Sequence, residues 1–181
     1  MPSRLIIDQS LFQITISRLC YQLIENHDDF SNTVLIGMQP RGTYLLDRIS
    51  EHLKDSLPKA KINKGNLDVT FFRDDFGRRD TLPTASETDI DFIVEGKNVI
   101  LIDDVLYTGR TIRAGLDAIL AFGRPKNVEL LVLVNRKFSR QLPIQADYVG
   151  HQIDTLSTER VEVKWKELDK KDEVWIETLK Q

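Results

Sequence analysis

Two adjacent carboxylates, Asp103 and Asp104, followed by Val105-Leu106-Tyr107-Thr108-Gly109-Arg110-Thr111, are the residues of this chain best suited to chemistry. Ahead of them Val99, Ile100, Leu101 and Ile102 form a short apolar run without polar alternation, the pattern of a strand buried on both faces of a parallel sheet. The acidic pair then falls at the carboxyl end of that strand, where open α/β sheets hold their ligands. From Gly109 the spacing becomes helical, with Ile112, Leu116, Ile119 and Leu120 on one face. The turn at residues 107–111 therefore meets a helix amino end, whose free N–H groups and positive dipole favour a phosphate. Gly109 permits close backbone approach, and Thr108 and Thr111 add hydroxyl donors. Carboxylates beside a phosphate cradle repel the same anion, so they need another partner. Vicinal ribose hydroxyls fit that need, and so does a nearby Mg2+.

Other loops are expected to converge on the same place. Residues 33–38 read as a buried strand, and Met38-Gln39-Pro40-Arg41-Gly42 leads from it into a helix carrying Leu45, Leu46, Ile49 and Leu53. An Arg-Gly loop at a helix start again offers backbone donors and a fixed cation to an anion. Val128 to Val134 is a further apolar strand, ending at Asn135, Arg136 and Lys137. Between these, residues 67–73 (LDVTFFR) have the aromatic and β-branched content of a strand, with residues 59–66 as a polar connection. Residues 74–91 have little apolar patterning, and a loop of that length in a compact domain is a lid or a disordered segment. At the amino end, Asp8 or Ser10 can cap a helix running to about Asn26. The hairpin Val161-Val163-Trp165 with residues 174–179 closes the chain. Its tryptophans are expected to pack rather than bind.

Composition sets outer bounds. The 181 residues, 41% hydrophobic, suffice for one domain, 1–181, with a real core. A net charge of -3 argues against a strongly basic nucleic-acid module, although it leaves room for a local patch. No stretch approaches the roughly 20 apolar residues that span a bilayer, and MPSRLIIDQS lacks a signal-peptide pattern, so a cytoplasmic protein is expected. The lone Cys20 lies on an apolar helix face and reads as a buried thiol. Strands alternating with helices predict a doubly wound α/β fold with a mainly parallel sheet.

The run DDVLYTGRT resembles the 5-phosphoribosyl-1-pyrophosphate (PRPP) motif of type I phosphoribosyltransferases. With Arg113-Ala114-Gly115-Leu116-Asp117-Ala118, Gly123-Arg124-Pro125, Arg41-Gly42, Arg73-Asp74-Asp75 and Leu142-Pro143-Ile144, nearly the whole chain resembles the PyrR family of pyrimidine-operon regulators and uracil phosphoribosyltransferases. The resemblance implies PRPP, uracil and UMP as ligands, with Mg2+ bound through PRPP and water rather than by direct protein ligation. It implies that Asp103, Asp104 and Arg41 are catalytic and that residues 103–111 bind the ribose and 5'-phosphate. Pro40, Arg41, Gly42, Arg73, Arg78 and Arg79 are implied at the pyrophosphate. Asn135, Arg136 and Val161 are implied on the base side. Residues 74–91 become a flexible lid, residues 135–181 a base-side loop with a small C-terminal hairpin or hood, and self-association into a dimer or larger oligomer is expected.

Departures from that pattern matter. Pro40 stands where Thr is common, removing an N–H donor and a hydroxyl. Residues 135–141 (NRKFSRQ) replace the Asp-Arg-Gly-His pattern of many relatives and are one residue longer, which opens the base preference to a purine. The relatives also bind operon RNA. On the corresponding face this chain has Tyr21, Asn26, Gln145 and His151 where His, Arg, Arg and Lys are usual, with Glu25, Asp28 and Asp29 near, although Arg18 and Arg140 remain. Three readings follow: a uracil phosphoribosyltransferase, a uridine-nucleotide-sensing RNA-binding attenuator, and a purine-base phosphoribosyltransferase.

Overall fold

A computed structural model describes residues 3–74 and 87–179; Arg78 and Arg79, and most of the segment expected as a lid, lie outside the described residues. The chain runs β1 (Ser3–Ile7), α1 (Gln9–His27), β2 (Thr33–Met38), α2 (Gly42–Ser56), β3 (Asn63–Leu67), β4 (Asn98–Leu106), α3 (Arg110–Ile119), β5 (Asn127–Arg136), β6 (Tyr148–Ile153), β7 (Glu159–Lys164), α4 (Lys166–Asp169) and β8 (Glu173–Thr178). Five strands form a parallel sheet in the order β3-β2-β4-β5-β6. The order reverses between β2 and β4, and a crevice opens there at the carboxyl ends of the strands.

Why the central run is uninterrupted is visible in its packing. Ile100 and Ile102 of β4 face a cluster with Phe12, Leu19, Leu45 and Ile49 of α1 and α2. Val99 and Leu101 face the opposite cluster, with Ile112, Ala118 and Ile119 of α3. Both faces are dry, so residues 99–102 are all apolar until the chain reaches the crevice. Asp8 caps α1 as expected, its Oδ1 accepting from Leu11 N at 2.8 Å. Cys20 is buried against α2, and burial pushes its thiol up to about 12, so it is an inert packing group.

One expectation, the strand after α2, is corrected, and two others gain detail. The strand after α2 is Asn63–Leu67 rather than residues 67–73. Asp68 ends it by accepting from Thr70 N at 2.8 Å and Thr70 Oγ1 at 2.6 Å, and Thr70–Phe72 then form a 3-10 turn. A local side-chain bond thus outcompetes β propensity, while the polar Asn63–Leu67 is held by its ladder with β2. The segment expected as a lid through residue 91 is fastened to the body by residue 87. Gln39 Nε2 donates to the Glu87 carbonyl at 2.6 Å, and Asp89 bridges Asn66. Finally, the terminal hairpin is part of a three-stranded antiparallel sheet, β1-β8-β7, because the amino-terminal strand pairs with β8. This sheet is the hood, with Trp165 fully buried in it.

Candidate active site

The ladder between β2 and β4 ends at Gly37 and Ile102, whereas β4 stays paired with β5 through Leu106 and Asn135. Residues 103–106 are therefore laddered on one side only. The loop leading to α2 fills the other side. Gly42 packs so tightly there that a Cβ would stand 2.3 Å from the Ile102 carbonyl oxygen and 3.1 Å from Asp103 Cα. Glycine is required at this contact, and it sets Arg41 beside the acidic pair. The Gln39–Pro40 peptide is cis.

Asp103 is 8% exposed, and its Oδ1 accepts from Asp104 N at 2.9 Å. Burial, then the neighbouring Asp104 charge, hold the Asp103 carboxyl well above the ordinary carboxylate range; Arg73 opposes this. Burial also raises Asp104, with Arg41 as the main opposing charge. Two desolvated carboxyls so close resist ionising together, which leaves the pair short of positive charge. Arg41 is only partly available to supply it, since its Nη1 donates to the Val163 carbonyl of β7 at 2.8 Å.

Next to the pair lies a cleft of about 270 Å³ bounded by Arg73, Asp103, Tyr107, Thr108, Arg110 and Thr111. Gly109 precedes α3 with φ 89°, a left-handed conformation, and as the N-cap residue it offers the helix no side-chain bond; Arg110 N makes only a long one, to Thr108 Oγ1 at 3.4 Å. The first N–H groups of α3 consequently open toward the cleft, an anion-binding arrangement. The turn is braced from outside. The Thr108 carbonyl accepts from Gln141 N at 3.0 Å and Leu142 N at 3.3 Å, and Arg110 Nε donates to Gln141 Oε1 at 2.7 Å. Arg110 also pairs with Asp74. Arg140 donates to the Tyr107 carbonyl and, at 2.6 Å, to Asn135 Oδ1. No periodicity announces these braces: Arg140 and Gln141 lie 30 or more residues from the turn and carry only the general signal of polar residues in a loop.

The sequence matches the phosphoribosyl transferase domain family over residues 6–168. It is 42% identical over 176 residues to bifunctional protein PyrR of Enterococcus faecalis, covering 97% of each chain. With bifunctional protein PyrR of Actinobacillus pleuropneumoniae it shares 47% identity over 163 residues, 89% of each. The chain belongs to the PyrR family of phosphoribosyltransferases. Among solved structures, hypoxanthine phosphoribosyltransferase of Trypanosoma cruzi superposes with a TM-score of 0.72 at 14% identity, covering 98% of this chain and 97% of the other. At that identity the likeness speaks for the fold.

The residues expected on the base side take up positions that the sequence did not suggest. Asn135 spends its side-chain oxygen on Arg140. Arg136 is 5% exposed and turned toward Tyr107 and residues 155–159. Val161 is buried in the core, so its side chain is withdrawn from any ligand. Its backbone is not: β7 is the outer strand of the hood. Because strand groups alternate edges with period two, Val161 and Val163 present their N–H and C=O to the unpaired edge, where Arg41 already takes Val163.

Proposed function

We propose that this phosphoribosyltransferase moves the phosphoribosyl group of PRPP to N1 of uracil, forming UMP and pyrophosphate. The observation that carries the reading is the juxtaposition of a desolvated carboxylate pair with a helix amino end opened by Gly109 at the switch point of a parallel sheet. The α3 N–H groups and the hydroxyls of Thr108 and Thr111 hold the 5'-phosphate, while Asp103 and Asp104 accept from the two ribose hydroxyls. Arg41 and Arg73 meet the pyrophosphate, with Gly42 supplying the backbone N–H that Pro40 lacks. As the bond from C1 to pyrophosphate breaks, the positive charge growing on the ring lies close to the carboxylates, which therefore bind the transition state more strongly than the ground state. The new bond forms at C1 from uracil N1, whose proton leaves to a base; Asp104, whose carboxyl is raised by burial, is the candidate for that acceptor.

Hard carboxylate oxygens short of positive charge also fit Mg2+. As the resemblance implies, the ion would be held mostly by PRPP oxygens and water beside Asp103 and Asp104. It would supply neutralisation of the pyrophosphate charge.

Initial rates with uracil, orotate, hypoxanthine and guanine, each with PRPP and Mg2+, test the assignment. Uracil turnover well above the others is expected; turnover confined to a purine overturns it.

The PyrR relatives are named bifunctional, and this favours RNA binding as a second activity. Of the two cations remaining on the expected face, Arg18 donates to the Val149 and Gly150 carbonyls and Arg140 to the turn and Asn135. Few free phosphate contacts are left, so weak, strongly salt-dependent binding is expected. A gel shift with the organism's own pyrimidine leader decides it: no shift at low salt excludes regulation by this chain, and tight binding persisting at physiological salt refutes the expectation of weakness.

A further inference from the structure

Arg136 is the last residue of β5 and, among the described residues, one of the few charged side chains that are buried. Its guanidinium carbon lies 4.0 Å from the centroid of the Tyr107 ring. Its edge is engaged elsewhere: Nε donates to Thr155 Oγ1 at 2.8 Å, and Nη2 to the carbonyls of Glu159 at 3.1 Å and Leu156 at 3.3 Å. Tyr107 belongs to the turn that lines the cleft. Glu159 opens β7 two residues before Val161. One planar group thus touches the sugar-phosphate turn with its face and the approach to the base-side edge with its donors.

We infer that Arg136 is a positioning residue that clasps the sugar-phosphate turn to the base-side strand β7, rather than a ligand of the base. The inference rests on the function proposed above and adds how its two subsites are kept in register. Arginine suits the task because stacking uses its flat face while the donor fork stays free for carbonyls and a hydroxyl; lysine keeps the charge and loses both. Phosphate binding by residues 108–111 does not pass through the clasp. Base binding does, because the β7 backbone must stand at a fixed distance from the C1 carbon that residues 103–109 hold, and a shift of about 1 Å is enough to cost two orders of magnitude in rate.

The test uses the full chain and the variants Arg136→Lys, Thr155→Val and Thr155→Ser. KM for uracil, KM for PRPP, kcat and Tm are measured for each. With Arg136→Lys, KM for uracil should rise about tenfold or more, as expected for losing charge-assisted bonds of this kind, while KM for PRPP stays within about threefold. Thr155→Val, which removes one acceptor and leaves the fold's packing, should move KM for uracil in the same direction by less, and Thr155→Ser should restore it. Uracil KM unchanged within about twofold in both Arg136→Lys and Thr155→Val overturns the clasp, as does a parallel rise of both KM values tracking a fall in Tm. Wild-type turnover of a different base would defeat the uracil assignment instead, and the clasp is then scored on that base's KM in the same way.

Discussion

Asp103 is kept by the fold in a state that costs stability. Its carboxyl is raised by burial and by Asp104, so the folded chain holds its proton more tightly than the unfolded chain, where the value is near 3.9. The sign follows from linkage. Well below the unfolded value the group is protonated in both states and contributes no pH dependence; the penalty grows as pH rises from there, where only the unfolded chain gives up the proton, and levels off above the raised folded value. Replacing Asp103 by Asn keeps the acceptor for Asp104 N and removes the charge. Asp103→Asn should therefore raise Tm at pH 7 to 8 in EDTA, by about 2–4 °C for each kcal/mol relieved, with the gain vanishing well below about pH 4. Scanning calorimetry across that range checks it, and a gain that is largest at acid pH contradicts the assignment. The double change Asp103→Asn with Asp104→Asn should lower kcat at least about 10²-fold, as removal of transition-state electrostatics does. Near-normal rates would reject both roles.

Elements show which parts of this site were legible beforehand. Strand β4 and helix α3 could be read because both faces of one and a single face of the other are apolar, and hydrophobic periodicity reports burial directly. Helix α1 was legible from Asp8, whose replacement by Ala should cost about 1 kcal/mol in urea unfolding, the usual worth of such a cap, without changing kcat. By contrast β3 (NKGNL) and β1 carry no comparable signal: one is polar and held by β2, and the other is short and gains its apolar partners only by pairing with the far end of the chain. The braces Arg140, Gln141 and Arg136 were illegible for a similar reason, since their partners are carbonyls and a ring distant in sequence, and a hydrogen bond to backbone leaves no trace in residue spacing. Gly42 lies between these cases. Its presence in an Arg-Gly loop was visible, but the 2.3 Å approach of a Cβ to the Ile102 oxygen was not. Gly42→Ala should destabilise by about 1–3 kcal/mol through overpacking and, because the displaced group is the strand end bearing Asp103, raise KM for PRPP. Denaturant melts with steady-state kinetics test both effects, and an Ala variant that keeps wild-type KM would show that α2 can retreat without moving the carboxylates.

Across the whole molecule, activity depends on two sheets staying fixed to one another, because the carboxylates stand on the parallel sheet and the proposed base edge on the hood. Helix α2 makes that attachment twice on one side. Near its start Arg41 holds the Val163 carbonyl; two turns later Arg48 grips Asp172 through Nε at 3.1 Å and Nη2 at 2.6 Å, reaches Glu167 at 2.9 Å, and lies 4.9 Å from the centre of the Trp165 ring. Arg48 and Asp172 have side chains only 12% and 7% exposed, so the pair is nearly buried, while Glu167, half exposed, contributes less. Asp172 also accepts from Lys166 N at 2.9 Å, closing the turn after β7. Removing one member strands the other's charge. Arg48→Met should accordingly cost about 3–5 kcal/mol, far more than the exposed pair Lys64–Asp47 would lose in Lys64→Met, which belongs below about 1 kcal/mol. If the hood is cooperative with the body, Arg48→Met lowers the midpoint of one transition. If the hood can part from the body, it splits the melt in two, and near-ultraviolet circular dichroism, dominated by Trp165 and Trp175, will lose amplitude before the far-ultraviolet signal does. The fully buried Trp165, packed edge-on to Phe12 of α1 and tilted against Tyr44 of α2, argues for one transition, since that ring is shared by the core and the hood and neither can surrender it alone.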